Sequence, residues 1–208
     1  MRAVLPWMAA LALLLPASPS WAESSEAGWI AEFVWSPHYC SRFHDAREAH
    51  EPQCTAVNGF VLQRLQQQTA GANAADCKRG GPMSGAIVDQ MVQFTRNRVE
   101  TQRAWLRHGR CSGLSEADYA AYAEHVDRRM SWPAHHPSKD REALTKPEAV
   151  LADIVRDNPG LATAAIAVRC QKRQIASILL CLDARFEPSA ACVLPDNCPD
   201  RVSLRHGR

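Results

Sequence analysis

Residues 101–115 read TQRAWLRHGRCSGLS, bringing a tryptophan, a basic residue, a His-Gly pair and a cysteine together within seven positions (Trp105 to Cys111). Immediately after them, Ser115 and Asp118 form a Ser-x-x-Asp capping signature, which predicts that a helix starts at Ser115. A His-Gly pair beside a cysteine, just before a helix, has the residue types of a loop that does chemistry. The sequence on either side decides what kind of loop it is.

Downstream, WPAHHPSKD is a Pro-rich surface loop, and TKPEAVLADIVRDNPG predicts a helix that is capped by Thr145 and Glu148 and stops at Asn158-Pro159-Gly160. AAIAVRC and QIASILLCLDA then read as two strands of a hairpin joined by the basic turn QKR. Upstream, MSGAIVDQMVQFTR places apolar residues at 87, 88, 91, 92 and 94, the spacing of an amphipathic helix packed on a sheet. Before it come VNGFVLQRL (57–65), a buried strand that follows a turn at Asn58-Gly59, and the polar loop QQQTAGANAADCKRGGP. WIAEFVW, rich in aromatic and β-branched residues, predicts a strand that ends near Trp35 at the Ser-Pro. The charged stretch SRFHDAREAHEPQC lies between two cysteines and reads as a loop stapled by Cys40 and Cys54.

The chain opens with one arginine, an apolar run over 3–15 and a Ser-Trp-Ala end at 20–22. This is the pattern of a secretory signal peptide, with cleavage expected after Ala22, and it leaves residues 23–208 as a single domain. No later apolar run is long enough to span a membrane, so no membrane association is expected after cleavage. The eight cysteines, at 40, 54, 77, 111, 170, 181, 192 and 198, all follow that site. An even count in an exported chain reads as four disulfides. The competing reading is zinc, but no C-x-x-C pair occurs, and no metal or other cofactor is expected. The formal charge of +2 is too small to argue for nucleic acid, so any such argument rests on local sites.

WSPHYC, NGFVLQRL, AWLRHGRCSGLS, NPGL, IAVRC and ILLCLD occur in the order and with the spacing of the ribonuclease T-two family of secreted acid ribonucleases, which the sequence resembles from about Phe33 to its end. The resemblance implies an α+β fold, in which helices flank a twisted antiparallel sheet and two active-site segments face one cleft. It also implies the pairs Cys77–Cys111, Cys181–Cys192 and Cys170–Cys198, with Cys40–Cys54 as the fourth.

RNA cleavage in such a family has the ribose 2′-hydroxyl attack the neighbouring phosphorus. A base must take one proton, an acid must deliver another to the 5′-oxygen, and a cation must hold the phosphoryl oxygens. The family's segments are written HGLWP and HEWxKHGTC. In the first, Gln63 stands at the leading histidine, Arg64 at the glycine and Gln66-Gln67 at the Trp-Pro. In the second, Arg103 stands at the first histidine, Ala104 at the glutamate and Arg107 at the lysine, while Trp105, His108, Gly109 and Cys111 match. The resemblance makes His108 the general base and Arg107 a phosphate clamp, with Arg103 and Arg110 extending a basic cluster for RNA. Gln63 cannot give up a proton at useful pH.

Among the other histidines, His44 and His50 in the stapled loop are candidates for a displaced acid, against the simpler reading of exposed loop residues. His125, His135 and His136 read as surface residues. His38, in WSPHYC, is expected near the cleft, in a position to touch RNA. Trp105 reads as core, and Trp132 either stacks a base or covers apolar surface.

The leading expectation is therefore an exported, secreted or periplasmic protein that binds RNA or nucleotides, with DNA not expected, and whose endoribonuclease activity is lost or strongly reduced. The alternatives are an active endoribonuclease with a displaced acid and a module kept for an unknown protein partner.

Overall fold

The structure is a computed structural model. It describes residues 28–42, 50–56, 59–68, 80–133, 144–195 and 197–204. The signal-peptide reading, His44, Cys77 and the pair His135-His136 lie outside these residues.

Four strands, β1 (Trp29–Trp35), β2 (Phe60–Gln67), β3 (Ile166–Gln171) and β4 (Gln174–Leu182), form one antiparallel sheet in the order β2-β1-β4-β3. β1 is central and buried along its whole length, because both of its faces are covered. Its Ala31, Phe33 and Trp35 point to the helices and share the main core with Phe60, Leu62, Ile178 and Leu180. Glu32 and Val34 point to the opposite face, as the two-residue period of a strand requires.

The helices follow their local signals. α1 (Ser36–Cys40) and α2 (Pro52–Thr55) each begin with proline in the first turn, where its missing N–H costs nothing, and the Cys40–Cys54 disulfide joins them. α3 (Gly85–Thr95) buries Val88 and Met91 on the predicted apolar face and stops at Arg96, which adopts a left-handed conformation (φ 57°). α5 (Glu116–Arg129) has the predicted cap: Ser115 Oγ accepts from Asp118 N–H at 3.1 Å and donates to Asp118 Oδ2 at 2.6 Å.

Three expectations are corrected. α4 (Arg98–Arg107) holds residues to which no helix was assigned from sequence. β2 begins at Phe60, after the expected turn, but runs on to Gln67, two residues into the glutamine run that was read as loop. α6 (Pro147–Asp157) starts after Lys146 with no side-chain cap. Thr145 is taken instead into a backbone bridge with Val202, their N–H and C=O groups exchanging two 2.8 Å bonds, so its capping box does not form.

The predicted hairpin is β3 and β4, turning at Lys172, which has φ 57°. Cys170–Cys198 and Cys181–Cys192 fasten it to the C-terminal segment. Cys111 is also disulfide-bonded, and its expected partner Cys77 is outside the described residues.

Candidate active site

A bulge in β2 builds the site. Glu32 pairs with Arg64 and Phe33 pairs with Leu62, so Gln63 is an extra residue with no partner on β1. The phase of the strand therefore changes: Leu62 and Leu65 both enter the core, and the two residues between them both line the cleft. β2 lies at the edge of the sheet, where its outward backbone groups would lack partners. The buried Tyr119 hydroxyl supplies them just past the bulge, accepting from Leu65 N–H at 3.2 Å and donating to Leu65 C=O at 2.9 Å. Burial pushes the Tyr119 phenol up to about 12, so it keeps the proton that this second bond needs.

The cleft has a volume of about 590 Å³ and lies between the sheet and α4. Its lining includes Arg42, Arg64, Arg103, Arg107 and Arg169, against the two carboxylates Glu32 and Glu100. The chain as a whole carries only +2, so a cleft lined by five arginines and two glutamates holds a local excess of positive charge. Gln63, His38, Tyr39, Gln171 and Ser177 supply further polar groups.

Glu32 is 5% exposed. Its Oε1 accepts from Ser177 Oγ at 2.7 Å and Arg169 Nη1 at 3.0 Å. Its Oε2 is in ion-pair contact with Arg64 Nη2, without the alignment of a hydrogen bond. On the helical wall, Arg103 Nη1 donates to Glu100 Oε1 at 2.6 Å, and the same oxygen accepts from the Tyr39 hydroxyl at 3.1 Å. Asn97 completes this side: its Oδ1 accepts from Glu100 N–H as the α4 cap, and its Nδ2 donates to the Tyr39 hydroxyl at 3.2 Å and Gln53 Oε1 at 2.9 Å.

His108 ends α4, half-buried, and is not among the residues lining the cleft. Burial, with the positive charges of Arg64 and Arg107 adding to it, holds its imidazole down at about 4, against a smaller opposing influence of Glu32. The ring is therefore neutral at pH 5–8, a state in which it accepts a proton but has none to deliver as an acid. His38 is 6% exposed, with Nδ1 3.0 Å from Gln174 Oε1 and Nε2 2.9 Å from Gln171 Oε1. Both of its nitrogens are engaged.

The sequence-predicted residues thus divide. Gln63, Arg103, Arg107 and His38 meet at the cleft, and Ala104 is buried beneath α4's cleft side. His50 is exposed and does not line the cleft. Trp105 is a core residue, its Nε1 donating to Gly81 C=O at 3.1 Å. Trp132 lies against Phe33 and Phe60, each ring centroid 4.8 Å away, and so covers the core.

Sequence reasoning missed Glu32, Arg64, Arg169 and Glu100. A signal was present for the first two: a lone carboxylate in an apolar strand, and two adjacent polar residues between Leu62 and Leu65. Arg169 carried no such mark. Among the described residues, no group of His, Cys, Asp and Glu has an arrangement that would hold a metal, and no helix is long and apolar enough to cross a membrane.

No protein-family model matches the chain. In sequence it is similar to a ribonuclease of Aeromonas hydrophila, 28% identical over 113 residues, which span 54% of this chain and only 50% of that relative. In structure it is similar to trichomaglin, an S-like ribonuclease, with a TM-score of 0.68 and 17% identity over 88% of this chain and 98% of the other. It is also similar to RNase NT, solved in complex with 5′-AMP, with a TM-score of 0.65 and 15% identity over 86% and 98% of the two chains. The fold is thus the α+β, ribonuclease T-two-like fold that the sequence resemblance implied.

Proposed function

We propose that this is an exported, secreted or periplasmic protein that binds RNA or nucleotides in the cleft between the sheet and α4, with endoribonuclease activity lost or strongly reduced. The observation that carries the reading is the occupancy of the bulge. Gln63, at the position of the family's leading histidine, faces a cleft lined with arginines, so phosphate recognition is retained where a proton donor is missing. Arg103 and Arg107 line the cleft, which supports reading them as a phosphate clamp, and His108, neutral above about pH 4, is left without the acid that would complete cyclising cleavage. One general acid is worth roughly 10² to 10⁴ in rate. Ala104 removes a carboxylate as well.

The complex of the structurally similar RNase NT with 5′-AMP supports a mononucleotide as the probe. The disulfides fit an oxidising compartment. A second reading, an active endoribonuclease with a displaced acid, is favoured only by His38 in the cleft wall, and both nitrogens of that ring are already held by glutamines.

The test is to incubate the oxidised chain lacking residues 1–22 with a short RNA from pH 4 to 8, beside His108→Ala and the double variant Gln63→His, Ala104→Glu. The expected result is native cleavage near background, with cleavage ending in 2′,3′-cyclic phosphate gained in the double variant. Native cleavage that disappears with His108→Ala overturns the proposal, and its loss with His38→Ala as well would identify the displaced acid.

A further inference from the structure

We propose that Arg64 and Arg169, gathered on Glu32, form a second phosphate position on the sheet side of the cleft, so that the fitting ligand is a ribonucleotide chain with two successive phosphates. This rests on the nucleotide-binding reading above and extends it.

Glu32 is the point where all four strands meet chemically. From β1 it contacts Arg64 of β2, Ser177 of β4 and Arg169 of β3. Arg64 and Arg169 sit on the two edge strands of the order β2-β1-β4-β3, yet their guanidinium groups converge on one carboxylate. Each guanidinium carries five N–H donors, and the carboxylate engages one terminal nitrogen of each. Both side chains line the cleft while retaining exposure, 27% for Arg64 and 39% for Arg169.

Two guanidinium groups on one carboxylate leave positive charge over, in a fixed geometry suited to forked contact with phosphate. The helical wall has the same composition, with Arg103 and Arg107 against Glu100. The two positions come from different walls of the cleft: Arg103 and Arg107 from α4, and Arg64 and Arg169 from the two edge strands of the sheet. Arg169, on the strand at the opposite edge from β2, is the member of the second position tested below. If Glu32 were only a strut across the sheet, the arginines would brace it with no preference for a longer ligand.

Calorimetric titration of the mature, oxidised chain at low salt with 5′-AMP and with the 5′-phosphorylated diadenylate pApA distinguishes these cases. pApA is expected to bind about tenfold or more tightly than 5′-AMP, from one further set of charge-assisted bonds. Arg169→Gln is expected to remove most of that advantage while weakening 5′-AMP less than threefold, and to lower the salt dependence of pApA binding by about one phosphate. Arg169→Lys, which keeps a charge beside Glu32 but not the fork, is expected to recover part of the loss, separating ligand contact from misfolding. Equal affinities in the native chain, or an Arg169→Gln loss that falls alike on both ligands, overturn the second position and leave the first. Failure of both ligands to bind overturns the nucleotide reading itself, and this inference with it.

Discussion

A methyl group added at Gly109 would lie 2.3 Å from Trp105 Cε3 and 3.1 Å from Tyr119 Cε2, and both rings are buried. Trp105 and Tyr119 meet edge to face with centroids 5.5 Å apart, and Tyr119 carries the hydroxyl that secures β2 beyond its bulge. The glycine of the His-Gly pair is thus required by packing, whatever chemistry remains at His108. Gly109→Ala is expected to lower unfolding free energy by about 1–3 kcal/mol, the usual cost of forcing an extra carbon into a filled core. Urea denaturation checks this, and a change within about 0.5 kcal/mol would show that the close approach is not a constraint. Trp105 and Gly109 match the family's segment for a reason that catalysis does not supply, and sequence alone could not separate the two causes of their presence.

α4 shows why an element with functional residues was not read from sequence. RVETQRAWLR has few apolar positions and a weak period, and the helix is fixed by a buried polar cluster centred on Asn97, which is 1% exposed. Asn97 caps the helix through Glu100 N–H and donates to Tyr39 and Gln53, which come from the segments that Cys40–Cys54 joins. Asn97→Ala is expected to cost about 2–3 kcal/mol, from the lost cap and the buried partners left unpaired, whereas Asn97→Ser keeps a capping oxygen, loses only the donations and costs less. Equal costs for the two variants in thermal unfolding would mean that the cap contributes nothing. Elements with strong local signals, such as α5 with its capping box and β1 with its aromatic and β-branched residues, were legible. The walls of the cleft were legible only in part. Gln63, Arg103 and Arg107 were placed by resemblance, but the Glu32 cluster depends on a strand order and a bulge that join residues more than a hundred positions apart.

Over the whole molecule, two half-buried groups give opposite pH dependences. His108 lies at about 4 in the fold against an ordinary 6.5, because burial disfavours its charged form. Its contribution to stability is therefore full above pH 6.5 and is lost as pH falls toward 4, where the unfolded chain binds the extra proton. Asp127 lies at about 6 against 3.8, again chiefly through burial, with Arg96 opposing it. Its charged form is the disfavoured one, so its contribution is full below pH 3.8 and is lost as pH rises toward 6. Between pH 4 and 6 the two trends offset each other. Both side chains keep some solvent contact, and after allowance for screening each is worth about 1–2 kcal/mol. Asp127→Asn is expected to make stability rise more steeply with pH than in the native chain over this window, and His108→Ala to make it fall relative to native. The informative quantity is the difference in slope between variant and native, since His108→Ala also removes packing and shifts the level. Melting curves at half-unit steps from pH 4 to 6.5 give that slope. Slopes indistinguishable from native in both variants would mean that neither group titrates away from its ordinary range. For His108 that would leave the ring substantially protonated near pH 6, restoring a proton donor beside the arginines that this reading of the cleft denies it.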